Sequence, residues 1–187
     1  MPNLDLIKQL RSQTGAGMME VKKALGESGD DIGKAVEILR KSGAAKAAKK
    51  ADRATSEGLI DIKISSDNKK ASIIQINCET DFVAKNDTFI NFVSDLSGKN
   101  LESGTAETEF NSRKEDLVLK IGENLTFGNA EFIESDYVAG YLHSNKKVGA
   151  IVAFSKEVPE ELAHDIAMHV TAANPSSTLL KPVYCIL

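Results

Sequence analysis

Ser72-Ile73-Ile74-Gln75-Ile76-Asn77-Cys78-Glu79-Thr80-Asp81-Phe82-Val83-Ala84-Lys85-Asn86-Asp87-Thr88-Phe89-Ile90-Asn91-Phe92-Val93-Ser94-Asp95-Leu96 changes its period halfway along. The start, rich in isoleucine, reads as a strand with a buried face. From Asp87 onward, Phe89, Phe92, Val93 and Leu96 fall on one side of a helix. Between the two lies a short polar connection that carries Phe82 beside Asp81. Strand-to-helix connections are where rigid scaffolds place working residues. On chemistry alone Phe82 reads first as a plug for the chain's own core, and second as a working residue of the connection.

Working outward, Leu59–Ile64 partly alternates, Ser65-Ser66-Asp67-Asn68 is a turn signature, and Ala71–Asn77 returns as a strand. The plan recurs as Gly140–Phe154, followed by a helix over Glu160–Ala173. Aligning Asn68-Lys69-Lys70 with Asn145-Lys146-Lys147 gives an offset of 77 residues, pairing Ile74 with Ile151. In this copy the connection reads Ser155-Lys156-Glu157-Val158, without Asp-Phe. Leu162, Ile166, Ala167 and Val170 form its helical stripe. Between the copies, residues 97–111 are rich in Gly, Ser and Glu and read as an exposed loop. Arg113–Ile121 reads as a helix ended by Gly122, and Leu125–Phe127 and Glu131–Ile133 as strand material.

The N-terminal part has a different period. Leu4, Ile7 and Leu10 mark one helix, closed by Gly15. Val21, Ala24 and Leu25 mark a second, closed near Gly29. Ile32, Val36 and Leu39 mark a third, with Asp30 as N-cap and Gly43 as stop. Helices this short need one another's apolar stripes to persist. Residues 44–56, rich in Ala and Lys, read as a solvated, partly helical linker. The fold class is therefore α+β: a three-helix module (1–43), a basic linker (44–56), then core subdomains with antiparallel sheets over 57–136 and 137–187.

Composition excludes several functions. The 187 residues are 42% hydrophobic and 27% charged, with a net charge of −4, so no global field draws DNA or RNA to the chain. A basic run over residues 44–54 is the one RNA-binding candidate, and it lacks aromatics for base stacking. The sequence has no long apolar run for a membrane span and no secretion signal, which points to the cytoplasm. Two cysteines, Cys78 and Cys185, make neither a disulfide framework nor a zinc cluster. No phosphate-loop motif occurs, and His143, His164 and His169 share no metal-ligand spacing. A lone Asp81 without a partner base does not make a catalytic centre, so no enzyme activity, metal or cofactor is expected.

Four segments then carry a resemblance: Thr14-Gly15-Ala16-Gly17-Met18-Met19-Glu20-Val21-Lys22-Lys23-Ala24-Leu25, Asn77–Val83, Lys120-Ile121-Gly122-Glu123-Asn124 and Ile166-Ala167-Met168-His169-Val170. In this order, they closely resemble the translation elongation factor Ts family. The resemblance implies a ubiquitin-associated-like N-terminal module. It also implies guanine nucleotide exchange on elongation factor Tu, with no covalent chemistry. In that family the segment matched by Thr80, Asp81, Phe82 and Val83 enters the GTPase beside its Mg²⁺. Lys22, Ile121, Gly122 and His143 match further partner-facing positions; for Ile121 core packing, and for Gly122 a simple helix stop, stand as alternatives. The tail Ser176–Leu187 does not resemble the family's continuation, which suggests a short member or fragment. Its apolar residues suit pairing with a sheet edge, within the chain or in a homodimer. A helical-module adaptor, or a weakly active remnant of an exchange factor, is the alternative function.

Overall fold

The computed structural model describes residues 3–174 and the backbone of 184–186. The chain forms two compact units: residues 1–54 with 111–125, and residues 55–110 with 126–187. It is an α+β protein, as its sequence predicts.

The first unit begins with α1 (Leu4–Thr14), α2 (Met18–Ser28) and α3 (Ile32–Lys50). Asn3 caps α1, and Gly15 and Gly29 end α1 and α2 in the left-handed conformation. Ile7, Leu10, Val21, Leu25, Ala35 and Leu39 close one apolar cluster, against which Leu119 packs from α6 (Ala106–Ile121). Two local expectations fail. Asp31, not Asp30, caps α3, accepting the Lys34 N–H at 3.0 Å; Asp30 instead takes a positive φ of 64°. Gly43 does not stop α3, which runs on to Lys50 through half of the expected linker. Gly43 is buried, and a Cβ there would lie 3.3 Å from the Glu115 carbonyl and 3.4 Å from Leu119 Cβ. Its missing side chain lets α6 approach, so tertiary packing overrides the helix-stopping tendency. Asn124, fully buried, donates to the carbonyls of Ala51 (3.3 Å) and Arg53 (2.9 Å), fastening the segment just beyond α3.

The second unit holds two three-stranded sheets. In the first, β2 (Lys70–Cys78) lies between β1 (Glu57–Ile64) and β3 (Leu125–Glu134); in the second, β5 (Gly149–Phe154) lies between β4 (Tyr137–Leu142) and β6 (Tyr184–Ile186). Both hairpins are antiparallel. Ala71 and Ile73 of β2 face Val138 and Ile151 of the other sheet. The alternate face of β2 meets α5 (Asp87–Ser103), whose Asn100 donates to Ser72 Oγ at 2.8 Å and to the Glu131 carbonyl at 3.2 Å. Ala150 and Val152 of β5 turn outward onto Ala167 and Val170 of α7 (Glu160–Ala173). The unit is thus a helix–sheet–sheet–helix stack. Residues 175–183 and 187 of the tail lie outside the described residues. Tyr184–Ile186 pairs with β5, so that part of the tail adds a strand within the chain.

The repeat is real, but its offset is 78, not 77. Ile64↔Ala71 and Leu142↔Gly149 close the two hairpins, and both differences (142 − 64 and 149 − 71) are 78. Ile73, not Ile74, is therefore the counterpart of Ile151, and both point into the same cluster. A one-residue slip would exchange the faces of every side chain. Asn68 and Lys146, related by the corrected offset, share positive φ values of 55° and 54°.

Two further expectations are corrected. Residues 97–111 are not an exposed loop: α5 continues to Ser103, Gly104 caps it with φ 66°, and α6 starts at Ala106. Ser97 and Asn100 are polar yet buried, which hides the helix from a hydrophobicity pattern. On α7 the buried stripe is Ala163, Ala167, Val170 and Thr171; Leu162 is 49% exposed.

Candidate functional site

Thr80–Val83 is not an open loop but the start of a single helical turn, α4 (Asp81–Ala84). Thr80 is extended (φ −128°, ψ 156°) and its Oγ1 accepts the Val83 N–H at 3.4 Å, an N-cap. The turn closes through Ala84 N–H to the Thr80 carbonyl (3.3 Å) and Lys85 N–H to the Asp81 carbonyl (3.2 Å). Cys78, fully buried at the end of β2, donates its thiol to the same Thr80 carbonyl at 3.2 Å. Asn86 then caps α5, accepting the Thr88 N–H at 2.9 Å. The turn is therefore tied at both ends.

Side chains on the turn divide by direction. Val83 and Ala84 are buried and anchor it. Phe82 is 82% exposed, more than any other large hydrophobic side chain among the described residues. The core-plug reading of Phe82 is overturned: the ring leaves its own unit. An aromatic side chain held in water forfeits roughly 1.5–3 kcal/mol of burial, which a partner can supply. Beside it, Asp81 pairs with Lys85, Oδ2 to Nζ at 2.7 Å. The Lys85 hydrogen bond, then its charge, holds the Asp81 carboxyl below the usual range, and Lys147 adds to this from farther away. The same bond raises Lys85. Asp81 thus keeps its charge.

The remaining sequence candidates stand elsewhere. His143 lies in the β4–β5 turn, exposed, its Nδ1 3.2 Å from the Tyr141 hydroxyl. Lys22 is exposed on α2 in the first unit. Ile121, half-buried, ends α6 in the same unit. Gly122 follows it with φ 86°, its N–H donated to Val118 at 2.8 Å; it is a helix stop whose carbonyl also accepts the Lys50 ammonium. The structure thus joins Thr80–Val83 in one turn. The sequence reading missed Lys85, although its spacing of four from Asp81 is a helix-pair signal. It also missed Glu57, which is paired with Lys147; ninety positions separate the two, and no sequence pattern links them.

Among the described residues no group of three or more His, Cys, Asp or Glu is placed to hold a metal ion. No described helix is long and apolar enough to cross a membrane. The arrangement can offer a partner one outward aromatic and one retained negative charge, carried on a turn that Val83 and Ala84 anchor.

Comparison with known proteins places this turn in a family. The family described as Elongation factor TS matches residues 79–183, which include the turn and run on into the tail that had seemed unlike the family. The elongation factor Ts of Marinobacter nauticus is 47% identical over 176 residues, covering 91% of this chain and 61% of the relative. That of Hahella chejuensis is 44% identical over 176 residues, with the same coverage. That of Hydrogenovibrio crunogenus is 41% identical over 184 residues, covering 92% of this chain and 62% of the relative. The chain thus spans about three fifths of the length of these relatives. With a match that begins at the residue before the Thr80 cap and takes in β4, β5 and α7, this chain belongs to the elongation factor Ts family.

Proposed function

We propose that the chain is a guanine nucleotide exchange factor for elongation factor Tu, acting in the cytoplasm on its GDP-bound and nucleotide-free forms. The observation that carries this reading is the outward Phe82 on an anchored turn. In the proposed mechanism α4 enters the GTPase beside its Mg²⁺, the ion that neutralises the phosphate charge of bound GDP. Phe82 fills an apolar pocket there. Asp81 brings a carboxylate against the ion's ligand shell and disfavours the bound metal arrangement. Thr80 holds the turn's geometry and Val83 anchors it. Lys22, Ile121, Gly122 and His143 supply further partner contacts.

Exchange then follows from linkage. A partner that binds the loosened GTPase more tightly weakens GDP by a factor, and GDP weakens that partner by the same factor. No covalent bond forms or breaks.

The test is release of fluorescent GDP from purified elongation factor Tu. Substoichiometric chain is expected to accelerate release catalytically. Phe82→Ala is expected to slow that stimulated release by about tenfold or more, the loss of about 1.5–3 kcal/mol. Its melting temperature should stay within about 2 °C of the parent, because an exposed side chain carries little folding energy. No acceleration by the intact chain, or equal losses in melting temperature and release, would sink the proposal.

A further inference from the structure

The second unit carries an internal two-fold relation, and one place where the relation is broken is the contact between the second copy's turn and the start of β1. The Ile60 N–H donates to the Lys146 carbonyl at 2.8 Å, and the Val138 N–H to the Asn68 carbonyl at 2.7 Å. Each residue maps onto its counterpart by the offset of 78. Each hairpin turn is thus hydrogen-bonded to the first strand of the other copy, a reciprocal contact like that of a symmetric dimer. The turns match internally as well: Lys69 N–H donates to Asp67 Oδ1 at 3.1 Å and Lys147 N–H to Asn145 Oδ1 at 2.9 Å.

Lys69 and Lys147 are therefore equivalent, yet their surroundings differ. Across from Lys147 stands Glu57, and the two form an ion pair. Across from Lys69 the equivalent residue is Ser135, which offers no charge; its hydroxyl donates to the Phe154 carbonyl at 2.8 Å. The acid that faces the turn lysine itself is on the side that carries α4; in the other copy Glu134, one position earlier, pairs with Lys70 at 3.7 Å instead. Glu57 opens β1, the strand on which α4 packs. In the other copy the chain passes through Ser155–Pro159 straight into α7, with no helical turn to hold.

We infer that Lys147 and Glu57 are positioning residues: the second copy's turn clamps the start of β1 and so fixes the direction in which α4 presents Phe82. Four charges alternate in sign along this edge, Asp81, Lys85, Glu57 and Lys147. The Lys147 charge favours ionised Asp81, after the larger effect of Lys85. Glu57 likewise favours charged Lys85, after Asp81. Lys147 also lines a shallow depression with Glu57, Gln75 and Asn77, so its ammonium is partly sheltered from solvent.

The inference rests on the exchange reading only for its consequence, and the experiment separates the two. The chain contains no tryptophan, so Phe82→Trp installs a single tryptophan on α4, excited selectively over the three tyrosines. In that background, without any partner, Lys147→Ala is expected to lower the fluorophore's anisotropy, while Lys69→Ala, at the two-fold equivalent position, leaves it unchanged. In GDP release by the chain with Phe82 retained, Lys147→Ala is expected to cost up to about fivefold, the scale of a partly exposed pair. Lys69→Ala should cost nothing, and Lys147→Glu combined with Glu57→Lys should recover release to within about twofold of the parent. Unchanged anisotropy in Lys147→Ala, or equal effects of Lys147→Ala and Lys69→Ala, would overturn the inference. Failure of the parent chain to release GDP would overturn the exchange reading and leave the anisotropy comparison to decide this one.

Discussion

Lys85 stands one helical turn beyond Asp81, and its ammonium is the chief reason that carboxylate stays ionised in acid. With the Asp81 pKa depressed on folding, its contribution to stability is present above the unfolded value. It is lost as pH falls through the lower folded value. Lys85→Ala is expected to move the Asp81 titration up toward the ordinary aspartate range, followed by carboxyl carbon NMR; an unmoved midpoint would refute the pairing. At the same scale, Phe82 shows why a sequence motif alone leaves a side chain's role open. From its residues alone the run Thr-Asp-Phe-Val reads as a plug, and only the family resemblance makes it a wedge. Which it is depends on the turn's rotation: Val83 and Ala84, not Phe82, take the buried side.

At the scale of elements, apolar spacing made α1, α2, β1, β2 and most of α7 legible. It failed where burial is polar or where packing uses an absent side chain. Asn100 pairs with Ser72 and the Glu131 carbonyl, so the last turns of α5 look hydrophilic though they are interior. Gly43 reads as a helix stop because its purpose lies on α6, more than seventy positions away. The repeat was visible, but a run of similar residues left its register ambiguous by one, and only strand pairing fixed it. Gly43 yields a graded prediction. Gly43→Ala gains about 1 kcal/mol of helix propensity against a contact that must yield a few tenths of an ångström, and stability should change little. Gly43→Val places two more methyls against the Glu115 carbonyl and Leu119, and should cost about 1–3 kcal/mol. Chemical denaturation midpoints measure both; equal stability of the two variants would show that α6 does not press on α3.

At the scale of the whole molecule, the first unit is assembled from two stretches of chain, and Asn124 is one fastening between them. Its amide serves two carbonyls beyond α3 from a fully buried position. Asn124→Ala would strand both acceptors, and is expected to cost about 1–3 kcal/mol. Thermal unfolding should shift down by several degrees. Hydrogen exchange should accelerate in α3 and α6 but not in β2 or β5, since separate compact units open separately. Uniform acceleration across both units would argue against this assignment.

The same division has a consequence during synthesis. Residues 1–54 leave the ribosome before the stretch that completes their unit, which is made about 60 residues later. At roughly 5–20 residues per second that is a delay of about 3–12 s. Throughout it, the surface of α3 that later receives Leu119 is open to water and to chaperones. The nascent chain must also lay down β1, β2 and α5 before its first helices are finished, so the two units mature interleaved.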